Sequence, residues 1–240
     1  MKKLFFAAFA LIIGISSCNI DDGQRVRGNG QVHSKTFDLS GFDRLDINLP
    51  AAVIVKQDSS FGIKIETDDN LLSHLMVNTE NHTLKIEEKV NFNLRASRGI
   101  KIYISMPVVK QITLSSAASL KTENKIEQNE PVGLDINEAS SATIALKTPE
   151  VNIKVSEAST LVVSGETRDV KGQVNEASTL RAYDLKAENT NIEANEASTA
   201  NVFASVQLTA QANEASSISY MGNPQVNSNS SSAGSVKKAD

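Results

Sequence analysis

The stretch Asn175-Glu176-Ala177-Ser178-Thr179 reads NEAST, and the same five residues return at Asn195–Thr199. Variants stand at Asn137 (NEASS), Ser156 (SEAST) and Asn213 (NEASS), so successive anchors lie 19, 19, 20 and 18 residues apart. Degenerate copies, SSAASL from Ser115 and SSAGSV from Ser231, extend the series, and LDINLPAAVIV fits it with Asn48 as anchor. A repeat of near-constant length decides architecture before any local pattern does.

Apolar residues keep fixed offsets from the anchor. One position before it stand Ile136, Val155, Val174, Ala194 and Ala212, and three before it Leu134, Ile153, Gly172, Ile192 and Ala210. Five after it stand Ala142, Leu161, Leu180, Ala200 and Ile218. Two after it is always alanine: Ala139, Ala158, Ala177, Ala197 and Ala215. Read as one inward series, the steps are two, three, three and two. A step of two is a strand, whose side chains alternate faces. A step of three adds a residue and bends the chain. The pattern predicts a short strand, a double bend around an inward alanine, and a second strand. Segments such as KTPE and SGETRD carry the turn residues that close the coil. No helical period runs through the copies.

The expected fold class is therefore all-β, a single-stranded parallel β-helix of about 18–20 residues per coil, each stacked on the last at about 4.8 Å. A leucine-rich repeat lacks its Leu and Asn pattern here, and a sandwich has no fixed sequence period. Residues 115–226 carry the repeated coils. Residues 31–114 do not repeat, yet read as strands at Val53, Gly62, Thr83, Ile100 and Ile112. They include a helical turn from Thr67 capped by Asp68 or Asp69, and a hairpin-like turn at Glu80. This half is expected to start the helix and close its apolar end, because bare coil edges invite aggregation. The polar tail 227–240 reads as a last coil or as disorder.

The chain opens MKKLFFAAFALIIGISSC. Lys2 and Lys3 precede an apolar run that is too short to span a bilayer comfortably, which is the layout of an export signal over 1–17. Cys18, the only cysteine, follows small residues as in a bacterial lipobox, so it is expected to be lipidated and to become the mature N-terminus. Residues 18–30 then form a tether, and Asp21 and Asp22 resemble signals that send lipoproteins to the outer cell surface. Losing 1–17 removes two lysines and leaves a net charge of −6. That acidity argues against nucleic acid, so membrane attachment rests on the acyl chains.

Two rows of the motif are candidate sites. Glu138, Glu157, Glu176, Glu196 and Glu214 would stack as a ladder in which each neighbouring pair repels by roughly 0.9 kcal/mol in water. The row reads either as a solvated face or as a ladder for cations or a basic partner; the Gly-Asp pattern of calcium-binding repeats is missing. Asn137, Asn175, Asn195 and Asn213 would bond amide to amide at the bend, with Ser156 interrupting them. Ser140, Ser159, Ser178, Ser198 and Ser216, each followed by Ser or Thr, form corner hydroxyls or a polar face for glycans. The three histidines, His33, His74 and His82, have neither metal-ligand spacing nor a nucleophile nearby, so no catalytic residue, metal or cofactor is expected.

LDINLPAAVIVKQ, GIKIETDDNLLSHLMVNTENHTLKIEEK, IKIYISMPVVKQITLSSAASL and the repeated Ala-Ser corners together resemble the bacterial head GIN family of auto-transporter adhesins over about residues 30–225. The resemblance implies a right-handed parallel β-helix, export and a lipoprotein. The family corner often reads Gly-Ala-Ser, whereas here Glu replaces the Gly. No catalytic residues carry over. The expected protein is an outer-membrane lipoprotein at the cell surface, held to the membrane by its N-terminal lipid. It would act as a non-catalytic binding module for glycans or surface proteins, with no particular oligomeric state implied. The alternatives are a structural envelope lipoprotein without a ligand and, less favoured, a carbohydrate-active β-helix enzyme.

Overall fold

A computed structural model describes residues 23–239. The export signal, Cys18 and the Asp21–Asp22 pair lie outside the described residues. No helix among the described residues is long and apolar enough to cross a membrane.

The chain forms a parallel β-helix whose register follows the anchor frame. Leu84, Leu45, Ile112, Leu134, Ile153, Gly172, Ile192, Ala210 and Ser228 are Cα partners in succession, so nine coils stack on this face. The neighbouring inward column runs Ile86, Ile47, Leu114, Ile136, Val155, Val174, Ala194, Ala212, Ser230. Both columns shrink from Leu and Ile to Ala and finally Ser. On this face the interior therefore narrows toward the C-terminal end, where small side chains keep it close-packed. At Gly172 a Cβ would sit 2.5 Å from Ile192 Cδ1, so a side chain there would need the Ile192 methyl to move aside. At Gly165 φ is +118° and a Cβ would lie 1.8 Å from the Leu146 carbonyl oxygen, so neither the dihedral nor the space admits another residue.

The order of coils is not the order of the chain. The coil containing Arg44–Asn48 and Ala52–Gln57 lies between Gln111–Ser115 and Ser119–Thr122 on one side and Thr83–Glu88 and Lys101–Met106 on the other. The chain thus lays its second coil outside its first, then returns past it to begin the repeats. The outer coil is covered by antiparallel strands. Gly62–Asp68 pairs with Lys101–Met106, Val32–Phe37 pairs with Gly62–Asp68, and Leu75–Glu80 folds back on Thr83–Glu88. That hairpin turns through Asn81 and His82, both with positive φ, as a two-residue type I′ hairpin requires. The short helix Asp69–Leu72 lies over this end and buries Leu71 completely.

Two expectations change, and the alternative left open for the tail is resolved as a last coil. Asp68 occupies the N-cap of that helix but makes no capping hydrogen bond, because its carboxylate is used elsewhere. Residues 18–30 are not all tether, since Gln24–Arg27 pairs in parallel with Phe92–Arg95. The tail forms one more coil, Gln225–Ser230 and Ser235–Lys238, hydrogen-bonded to the coil before it.

Candidate functional site

The repeated corner is a turn with two left-handed residues. In every copy Glu and Ala have φ between 52° and 61°, as in Glu176 (57°) and Ala177 (57°). Where the turn closes, the Asn carbonyl accepts from the Ser amide three residues on, at 3.1 Å for both Asn137–Ser140 and Asn213–Ser216. Two central residues with positive φ are the condition of a type I′ turn. The alanine amide meanwhile donates to the glutamate carbonyl of the next coil, as in Ala158 to Glu176 at 2.9 Å.

This geometry corrects the inward alanine. Ala139, Ala158, Ala177, Ala197 and Ala215 are exposed, and the serine one residue later is buried. Ser140, Ser159, Ser178, Ser198 and Ser216 are each 1% exposed. Their hydroxyls accept from the serine amide of the preceding coil: Ser140 N to Ser159 Oγ 3.1 Å, Ser159 N to Ser178 Oγ 3.1 Å, Ser178 N to Ser198 Oγ 3.3 Å, and Ser198 N to Ser216 Oγ 3.1 Å. The inward steps across the corner are thus four and two, not three and three. A left-handed pair reverses which residue faces inward, and a series assuming extended backbone cannot anticipate that reversal.

The asparagine row forms a partial chain. Asn195 Nδ2 donates to Asn175 Oδ1, and Asn213 Nδ2 to Asn195 Oδ1, both at 3.0 Å, and Ser231 Oγ donates to Asn213 Oδ1 at 2.6 Å. Beyond the Ser156 interruption, Asn137 Oδ1 is buried without a partner. The glutamate row faces solvent, and Glu138 accepts from the Ser116 amide and hydroxyl at 3.0 and 3.1 Å. Among the described residues no three carboxylate, imidazole or thiol side chains converge to hold a metal ion.

The histidines stand apart. His33 is exposed on the Val32–Phe37 strand, His74 packs on Phe92 with ring centroids 4.4 Å apart, and His82 Nδ1 donates to the Gly41 carbonyl at 2.9 Å. Asp68 is fully buried and accepts from Gly30 N (2.6 Å), Ser97 N (2.8 Å) and Ser97 Oγ (2.7 Å). The Ser97 hydroxyl, with these amides behind it, holds its carboxyl below the usual range despite burial. A Cβ on Gly28 would lie 2.1 Å from Asp68 Oδ2, so the GNG stretch of residues 28–30 is a wrapping for this carboxylate and not a phosphate loop.

A groove of about 620 Å³ runs along the opposite flank of the solenoid. Lys147, Glu166 and Lys186 are Cα partners in successive coils and form one side. Pro149, Arg168 and Glu188 form the other, and the buried Thr148, Thr167 and Ala187 form its floor. Phe203 lies at one end, its ring 4.4 Å from Lys186 Nζ. The corner frame does not reach these residues. Their signal is the charge alternation Lys147, Glu166, Lys186 at the coil spacing, legible only after the coils are stacked.

No curated protein matches the chain. Among solved structures, a Bacteroides fragilis protein described as a "putative adhesin" is 15% identical, with a TM-score of 0.84 over 89% of this chain and 100% of its own. A Parabacteroides distasonis protein described as a "putative lipid binding protein" is 18% identical, with a TM-score of 0.77 over 90% and 100%. A Parabacteroides merdae "putative adhesin" is 16% identical, with a TM-score of 0.72 over 91% and 100%. At such identities the likeness is one of fold. The family model described as "Putative auto-transporter adhesin, head GIN domain" matches residues 41–224, most of the chain. The chain belongs to this head GIN domain family.

Proposed function

We propose that the chain is an exported, lipid-anchored cell-surface protein whose solenoid is a non-catalytic adhesion module. Family membership and the fold shared with proteins described as adhesins support the class. The basic and apolar start followed by Cys18 supports export and lipidation. The observation that carries a binding role is the 620 Å³ groove, which brings residues from five coils into one open, amphiphilic channel. A rigid scaffold presenting side chains at fixed intervals is suited to recognition, since little ordering cost remains on binding.

The test is a glycan and matrix-protein array probed with the mature chain, beside adherence of cells carrying or lacking it. Binding on the array and weaker adherence of deletion cells are the expected results. No binding, with an envelope defect on deletion, would favour the structural lipoprotein instead. Fatty-acid labelling of the wild-type chain, lost in Cys18→Ser together with membrane fractionation, tests the anchor.

A further inference from the structure

We infer that the groove between Lys147 and Phe203 is a site for a linear, hydroxyl-rich, uncharged oligosaccharide lying along the solenoid axis. The inference rests on the adhesion reading and names its ligand class. Lining residues come from five successive coils, so the channel is about 19 Å long. That length fits an extended chain of several sugars.

The chemistry of the walls selects the occupant. Lys147, Glu166 and Lys186 offer donor, acceptor and donor at about 4.8 Å intervals. Across the floor, Arg168 and Glu188 repeat the pair. Sugar hydroxyls both donate and accept, so they satisfy such alternation along its whole length, whereas an anionic polymer, though drawn to the three cations, would meet two carboxylates interleaved with them. An extended peptide would need free backbone groups to add as a strand. Here the strands that carry Lys147, Glu166 and Lys186 are each paired on both sides with neighbouring coils. Phe203 and Pro149 supply apolar surface for the C–H face of a sugar ring.

The polar groups are already positioned. Lys147 Nζ lies 3.3 Å from Glu166, Arg168 Nε lies 2.7 Å from Asp169, and Lys186 Nζ donates to the Tyr183 carbonyl at 2.8 Å. Each keeps hydrogen-bonding capacity beyond these contacts, because ammonium and guanidinium groups carry several donors and a carboxylate several lone pairs.

Titration calorimetry of the mature chain tests the inference. The probes are linear neutral β-1,4-glucan and mannan oligosaccharides of increasing length, oligogalacturonates of matching length, and an extended hexapeptide. Affinity for a neutral series should rise with length and level off once the groove is filled. Phe203→Ala and Arg168→Ala should each weaken binding about tenfold. Lys154→Ala, on a different face, should leave it unchanged, and circular dichroism verifies that the variants fold. Tighter binding of the acidic series or the peptide, or equal affinity in both groove variants, would overturn the inference. If the chain binds glycans on the array but the groove variants bind them equally well, this site falls and the adhesion reading stands. If the wild-type chain neither binds nor adheres, both fall.

Discussion

Glu176 and Ala177 hold left-handed backbone that each would avoid in isolation. A residue with a Cβ gives up roughly 1–2 kcal/mol in that region, and glycine gives up none. Glycine returns about 0.5–1 kcal/mol of that through its freer unfolded chain. Glu176 also stands between two like charges in neighbouring coils. Glu176→Gly should therefore raise stability by up to about 1 kcal/mol, read as a higher denaturant midpoint at unchanged slope. A lower midpoint would mean that the carboxylate holds the corner in a way the backbone alone does not.

Asp68 is the opposite kind of residue, a charge that the fold surrounds with donors. Its depressed carboxyl means that the folded chain favours ionisation more than the unfolded chain does. The stabilisation is fully present above the unfolded value of about 3.9 and is lost as pH falls through the folded one. Asp68→Asn turns an amide toward donors and should cost about 1.5–3 kcal/mol, with a shallower loss of stability below pH 4 than wild type. An acid melting profile identical to wild type would refute this role for Asp68.

At the scale of the corner element, the buried serine column makes a prediction that side-chain burial alone would not. Ser159 N has the Ser178 hydroxyl as its acceptor, whereas Ser140 N has both the Ser159 hydroxyl and the Asn137 carbonyl. Ser178→Ala leaves a buried amide unpaired and should cost about 1–3 kcal/mol. Ser159→Ala leaves the Ser140 amide its carbonyl partner and should cost less, although both serines are 1% exposed. Thermal unfolding of the pair checks the order. Reading the corner from the sequence located the bend and identified its polar residues. It assigned the inward position to alanine because the sign of φ is set by coil-to-coil amide bonding, which one copy of the motif does not reveal.

For the whole molecule, the two ends are finished differently. Antiparallel strands and the Asp69–Leu72 helix cover one end. At the other, the last coil places Ser228 and Ser230 where earlier coils carry apolar side chains. Lys237 and Lys238 charge its edge. Polar terminal repeats and edge lysines discourage strand addition by other molecules. The double variant Ser228→Val and Ser230→Ile should shift the protein toward dimers and larger species in size-exclusion chromatography at unchanged far-ultraviolet dichroism. A purely monomeric variant would show that the polar end is not what limits association.

The sequence by itself determined the coil length, the stacking register and the position of the bend. All three follow from repetition, because equal offsets in consecutive coils must lie one above another. Only the tertiary structure decided that Ser178 and not Ala177 faces the core, and that the coil of residues 83–106 lies outside that of residues 44–57. It alone assembled Lys147, Arg168, Lys186 and Phe203 into one groove. These features depend on hydrogen bonds and packing between coils distant along the chain, and such partners are chosen by the fold as a unit and not by any local stretch of residues.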